Sequence, residues 1–382
     1  MNFEFNEEHE MVRNTVREFA RKELAPLCER MDRDDYFPED LFRKLGSTGM
    51  LGITVPTEFD GSGLDYISQA ICLEELSRVS PAFALSVGAH SNLCLDNLYR
   101  NGSRELIETY VPQLATGKSI GCLGLTEPDS GSDSLSMKTE AKRDADEYVI
   151  TGSKTFITNA PVADICLAYA KTDAAKGSKG VSAFVIESGY SGYRKGRKLD
   201  KMGMRGSPTG ELFFDGCRVP ANNVLGRENE GSHIVMSGLS VERAVLAAIS
   251  LGIQEEMLEM SVKYSKERKQ FGEPIANFEL IQEKIAEMYT GIAASRLLIY
   301  SALSVLQKDR RRNKEAAAAI MFASEAATRS ALDCIQIMGG YGYMKEFQAE
   351  RFMRDAKLLE IGAGTTEIRK IIIAREVLKE GI

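Results

Sequence analysis

Glu147-Tyr-Val-Ile-Thr151 and Thr155-Phe-Ile-Thr158 are short β-branched and aromatic runs in the middle of an otherwise helical chain. Three more runs follow: Asp164-Ile-Cys-Leu-Ala-Tyr-Ala170, Val181-Ser-Ala-Phe-Val-Ile186 and Glu211-Leu-Phe-Phe214. Gly, Pro, Asn, Asp and Ser punctuate them. A spacing of roughly 8–12 residues between short strands predicts an antiparallel barrel or sandwich. Before this zone the period is helical. In Glu8–Leu24, the residues Met11, Val12, Val16, Phe19 and Ala20 share one stripe. Further helices are predicted from 38–40 through Leu45 and near 66–79, separated by a Gly- and Asp-rich loop at 56–65. After the strand zone, long Ala-, Leu- and Ile-rich helical stripes return and predict an antiparallel bundle. The expected class is α+β in three segments. Residues 1–117 form a helical domain, 118–228 a β-barrel-like domain and 229–382 a four-helix bundle.

The 382 residues fit two to three domains. With 43% hydrophobic and 27% charged residues, the composition is that of a globular protein. A net charge of −7 with scattered Lys and Arg argues against nucleic acid as a partner. No unbroken apolar run approaches ~18 residues, which argues against membrane insertion. The acidic start, MNFEFNEEHEM, resembles neither a secretion signal nor an organelle presequence. The expected location is the cytoplasm, or an organelle matrix if a presequence has been removed. The seven cysteines show no CxxC spacing and read as buried thiols; three histidines without HxH or HExxH offer no metal site. Walker, GxSxG and GxGxxG patterns are missing as well. Lys308–Arg312 reads as a solvated turn between helices.

Six features could carry chemistry. Gly124-Leu-Thr-Glu-Pro-Asp-Ser-Gly-Ser-Asp133 gathers Leu125, Thr126, Gly131 and Ser132 into one loop, either a cradle for polar ring edges and phosphate or a plain turn. In Lys154-Thr-Phe-Ile-Thr-Asn159, alternation puts Phe156 and Thr158 on one face, able to shelter a flat ring or simply to end a strand. Glu267-Arg-Lys-Gln-Phe-Gly272 closes a helix, with Arg268 as a pyrophosphate ligand or only a cap. Gln336-Ile-Met-Gly-Gly-Tyr-Gly-Tyr343 and Ile361-Gly-Ala-Gly-Thr-Thr366 interrupt helices. Last, Glu242 shares a helix face with Leu239, Val245, Leu246 and Ile249. Burial there raises a carboxylate toward general-base range, although a buried Glu–Arg pair explains it too.

Taken together these motifs resemble the acyl-CoA dehydrogenase family over the whole chain. The 124–136 and 336–343 stretches, the latter with Glu346, Arg351 and Asp355, are similar to its two signatures. The resemblance implies non-covalent FAD, an acyl-CoA substrate, electron-transfer flavoprotein as acceptor and a homotetramer. It implies that Leu125, Thr126, Gly131 and Ser132 border the flavin, with Phe156 in the place of a more usual Trp and Thr158 at the N5 edge. Arg268, Gln270 and Phe271 should meet the ADP half across a subunit boundary, and Gln336, Gly340, Thr365 and Glu367 should complete the FAD site. Ser132, Leu95, Arg243, Gly362, Ala363 and Arg375 are the candidates on the substrate side.

One departure is informative. The family's usual Tyr-Glu-Gly-Thr segment reads Gly362-Ala363-Gly364-Thr365 here, so its catalytic Glu is missing. The isovaleryl-CoA subgroup shares this loss and carries its base where Glu242 stands. The segments at 88–95, 198–207 and 360–365 also resemble that subgroup. Gly362 in place of an aromatic should widen the pocket for a branched acyl group. The implied reaction removes an α-proton by Glu242 as a β-hydride passes to flavin N5. A ribityl hydroxyl and a backbone N–H near Ala363 hold the thioester oxygen. Alternatives are another short, 2-methyl-branched or alicyclic carboxyl-CoA, and more remotely a flavin-binding homologue without dehydrogenase activity.

Overall fold

The computed structural model describes residues 5–380; the outermost residues of the two terminal segments, 1–4 and 381–382, lie outside it. The N-terminal helices are α1 (Glu7–Phe19), α2 (Cys28–Asp34), α3 (Glu39–Ser47), α4 (Tyr66–Ser77), α5 (Pro81–Gly88), α6 (Asn97–Asn101) and α7 (Arg104–Ala115). α1 begins at a capping box, in which the Asn6 side chain accepts from the His9 N–H at 2.8 Å. Val12 and Val16 are buried, and so are Ala20 and Leu24 in the wider π turn that follows. Met11 is 60% exposed, so the core-facing stripe is narrower than its spacing predicts.

The middle strands are β1 (Gly121–Gly124), β2 (Glu140–Asp144), β3 (Glu147–Thr158), β4 (Ile165–Lys171), β5 (Val181–Glu187), β6 (Tyr193–Lys198), β7 (Thr209–Pro220) and β8 (Val224–Leu225). They form one sheet in the order β6-β7-β3-β2-β4-β5-β8, with β1 pairing β4. β6 and β8 stand at opposite edges, so hydrogen bonds do not close the barrel-like sheet. The all-antiparallel expectation is also corrected, since β1 and β2 run parallel to β4. The two runs at 147–151 and 155–158 fuse into one strand, because β7 pairs along both with bulges between. β4 is buried on both faces. Ile165, Leu167 and Tyr169 pack with α7, while Cys166, Ala168 and Ala170 fill the core on the sheet's other side.

The C-terminal helices are α8 (Gly231–Glu267), α9 (Glu279–Leu306), α10 (Asn313–Met338), α11 (Ala349–Leu359) and α12 (Thr366–Glu380). A two-residue-strand hairpin at 269–274 links α8 to α9. Ala319, Ala323, Ala327 and Ala331 give α10 a small buried stripe at i, i+4 spacing, which allows close helix contact. The most apolar window of α8 has a mean hydropathy of 1.6 and is 83% buried, so α8 is a core helix.

The 198–207 segment is a junction of all three segments. Its Gly206 N–H donates to Asp35 at 2.6 Å and its Met204 N–H to Asp355, while Arg354 forks onto Asp32 at 2.9 and 2.8 Å. Arg351 and Asp355 of the second signature therefore hold the domains together; Arg351 itself donates to the Val79 carbonyl. The 308–312 stretch is a turn between helices with Lys308 and Arg311 exposed, as expected, except that Arg310 turns inward to fully buried Asp96 at 2.8 Å. All seven cysteines are buried thiols.

Candidate active site

Every residue from Ser240 to Gln254 is buried, so α8 is enclosed all round rather than on one stripe. Glu242 is 3% exposed and its Oε2 has no hydrogen-bond partner. Burial alone pushes its carboxyl up to about 8. An apolar setting thus prepares a proton acceptor of nearly neutral strength. Arg243, the next residue, does not pair with it. Its Nε donates instead to the Ala363 carbonyl at 3.0 Å, and burial pulls its guanidinium down to about 10.

That bond brings the turn between α11 and α12 against α8. Gly362 N–H closes back on the Leu358 carbonyl at 2.8 Å, and Thr366 N–H on that of Glu360 at 3.0 Å. Ala363 and Gly364 take φ of +56° and +97°. A left-handed Ala is uncommon, and such conformations persist where surrounding bonds over-determine them. Here Arg243 supplies one bond and Arg369 two more. Arg369 is fully buried and donates to the carbonyls of Leu359 at 2.8 Å and Gly362 at 2.6 Å. Sequence reading passed over Arg369, and its only signal was a cation at a helix position that faces inward.

The first two motifs also meet. The Thr155 N–H donates to the Thr126 carbonyl at 2.9 Å, which ties the 124–133 loop to β3. Beneath them Lys154, with a fully buried side chain, pairs with Glu127 at 2.8 Å and donates to the Leu125 carbonyl at 3.2 Å. Glu127 accepts further from the N–H of Thr139 at 2.9 Å. This buried pair was also missed, because a Lys in a strand reads as a surface residue until its partner is known. Above it Phe156 is 69% exposed and has a φ of +59° at the β3 bulge. Thr158 is half-buried beside it, and Gly131 and Ser132 are exposed at the loop tip.

Three family models match in chain order: the acyl-CoA dehydrogenase N-terminal domain over residues 6–118, the middle domain over 122–217 and the C-terminal domain over 229–378. The chain belongs to the acyl-CoA dehydrogenase family. It is an FAD-dependent oxidoreductase acting on CH–CH bonds. It is 46% identical over 378 residues to the mitochondrial isovaleryl-CoA dehydrogenase of Solanum tuberosum, covering 98% of this chain and 92% of that protein. The mitochondrial 2-methylacyl-CoA dehydrogenase of the same plant is 44% identical, over 96% of this chain and 90% of its own. The structure of butyryl-CoA dehydrogenase from Megasphaera elsdenii superposes with a TM-score of 0.97 at 36% identity, covering 99% of this chain and all of that one.

Acyl-CoA dehydrogenases use FAD, and the residues present fit it. A Cβ at Gly131, Gly272, Gly339 or Gly340 would meet nothing within 4 Å, and Phe156 and Phe271 present open aromatic faces. The cofactor candidates fall into two groups, however. Arg268 lies 5.9 Å from the Tyr341 ring, which unites the third and fourth motifs, Gln270, Phe271, Gln336 and Gly340 among them, at one end of the bundle. Glu242 is 25 residues before the end of α8, about 38 Å away at 1.5 Å per residue. Thr365 and Glu367 belong to the Glu242 end, at the start of α12. Leu95 is buried in the same hydrophobic cluster as Leu125, against which Leu239 packs. Arg375 is exposed further along α12, outside the Glu242–Ala363 cluster.

Proposed function

We propose that this dehydrogenase converts a short branched acyl-CoA, of the isovaleryl-CoA kind, to the 2-enoyl-CoA with Glu242 as the base. The observation that carries it is an unpartnered buried carboxylate one residue from the arginine that anchors Ala363, where the family's usual Glu is missing. Glu242, with its carboxyl raised to about 8, takes the α-proton at Oε2. A backbone N–H of Ala363 or Gly364 holds the thioester oxygen, which acidifies that proton. FAD, when bound, supplies the two-electron acceptor for the β-hydrogen. Leu125, Thr126, Gly131, Ser132, Phe156 and Thr158 orient the flavin. Gly362 leaves room for the branch, and Ser132 and Arg243 border the substrate side.

The reading extends to a homotetramer and to electron-transfer flavoprotein as acceptor. The separation of about 38 Å along α8 supports assembly, since Arg268 and Glu242 of one chain stand too far apart to share a flavin's ring and first phosphate. Leu280, Tyr289, Leu297 and Leu298 of α9 are exposed apolar residues, also consistent with contact between copies. A 2-methyl-branched ester is the second reading, favoured by the 44% identical 2-methylacyl-CoA dehydrogenase.

The test is an anaerobic titration that follows flavin absorbance with isovaleryl-, 2-methylbutyryl-, butyryl- and a cyclic carboxyl-CoA. Preferential bleaching by isovaleryl-CoA is expected. Bleaching mainly by 2-methylbutyryl-CoA would move the assignment to the second reading, and bleaching by none would overturn both.

A further inference from the structure

We infer that Arg369 is a positioning residue that orients the Gly362–Ala363 peptide, so that the Ala363 N–H is presented to the substrate's thioester oxygen. The inference deepens the reading above and rests on it.

Arg369 is a buried cation that no carboxylate contacts among the described residues, although Glu360, Glu325 and Glu367 attract it from further off. Such a group is costly to bury, and an apolar side chain would occupy the space with less penalty. What it does with its donors is therefore informative. Nη2 bonds the carbonyl of Leu359, at the negative C-terminal end of α11, and that of Gly362 in the turn; Nη1 bonds Ser324 Oγ at 3.2 Å. A trans peptide is planar, and its C=O and N–H point in opposite directions. With the Gly362 carbonyl held by Arg369, the Ala363 N–H points away from it. The same logic applies one peptide further on. Arg243 holds the Ala363 carbonyl, so the Gly364 N–H points away from Arg243.

Among the described residues neither the Ala363 nor the Gly364 N–H has a protein acceptor. Two guanidinium groups thus occupy two successive carbonyls and leave two successive N–H groups unspent, on a turn that Arg243, the residue after Glu242, anchors. Consecutive free amides at left-handed residues form an anion-binding concavity. If the Gly362–Ala363 peptide flipped, it would present a carbonyl to the thioester oxygen, which would repel it.

The experiment reads the donor directly. Isovaleryl-CoA labelled with carbon-13 at its carbonyl is bound to the FAD-loaded Glu242→Gln enzyme, where turnover is blocked, and the carbonyl stretch is recorded by difference infrared. With Arg369 present the stretch is expected to fall below that of the free thioester. Adding Arg369→Gln is expected to abolish at least half of that fall. In the single Arg369→Gln variant, kcat should drop about 10²-fold, in the range for a lost oxyanion donor, with KM and FAD content changed less than about 3-fold. An unchanged stretch together with an unchanged kcat would overturn the inference. If Arg369→Lys is needed because Arg369→Gln does not fold, it keeps the cation on a shorter side chain, whose ammonium falls short of the point where Nη2 meets both carbonyls. An intermediate stretch supports the role, and an unaltered one overturns it. Absence of any fall with Arg369 intact would strike at the acyl-CoA reading beneath, which the flavin titration tests independently.

Discussion

Arg243 donates a 3.0 Å hydrogen bond to the carbonyl of Ala363, a residue 120 positions further along the chain. Through that bond the helix carrying Glu242 touches the turn from which the family's usual Glu is missing. The residue after Glu242 thus anchors the turn in which Ala363 stands.

Glu242→Gln should lower kcat by about 10²–10⁴-fold while FAD stays bound, because general-base catalysis contributes on that order. Rapid-mixing flavin bleaching and the visible spectrum measure the two. Glu242→Gly combined with Ala363→Glu should restore part of the activity. Ala363 already holds its positive φ, so the new side chain adds little backbone strain. No recovery in a folded, yellow double variant would show that the two positions do not face one α-carbon.

The pH profile follows from burial. Glu242 must be ionised to accept the α-proton, and its carboxyl sits at about 8. kcat/KM should therefore rise with pH through about 8 and flatten above. Stability should run the other way. A carboxyl raised above its ordinary 4.5 by folding stabilises fully below that value, and the contribution is lost as pH rises through about 8. Glu242→Gln should then gain in Tm over wild type at pH 9 and show little gain at pH 4.5. Calorimetry at the two pH values decides it.

Gly362→Tyr should shift substrate choice. A Cβ there meets only the Leu358 carbonyl, at 3.5 Å, so the backbone accepts a side chain. The ring would take the room left for the branch. The ratio of kcat/KM for isovaleryl-CoA over butyryl-CoA should fall about 10–200-fold, the range for one methylene's worth of pocket. An unmoved ratio would separate Gly362 from acyl selection.

Lys154→Met should cost about 3–5 kcal/mol, the range for breaking one partner of a buried ion pair. Glu127 would be left charged and nearly enclosed beneath the 124–133 loop. FAD retention on gel filtration should fall with Tm. Lys154→Met with Glu127→Gln should recover part of the stability, and failure to do so would assign the loss to packing alone.

Some of the site was legible because its signals are local. The i, i+3, i+4 pattern around Glu242 places a carboxylate among apolar residues, and alternation in 155–158 separates exposed Phe156 from buried Thr155 and Ile157, although which face is outside only the structure shows. Arg369 and Lys154 carry no such pattern. Each is a cation whose partners lie on other elements, and a single sequence shows only the cation. The open sheet was likewise hidden, since the parallel pairing of β1 with β4 depends on strands 44 residues apart.

Sequence alone determined the helix–strand–helix order, because hydrophobic period is a property of neighbours in the chain, and its resemblance to a known family supplied the class of enzyme and the missing Glu at Ala363. Only the tertiary structure decided that Arg243 and Arg369 hold the turn by its carbonyls, that Glu242 has no partner, and that Arg268 stands a helix length away from it. Those facts depend on which side chains meet after the elements pack, and burial then sets the strength of the base.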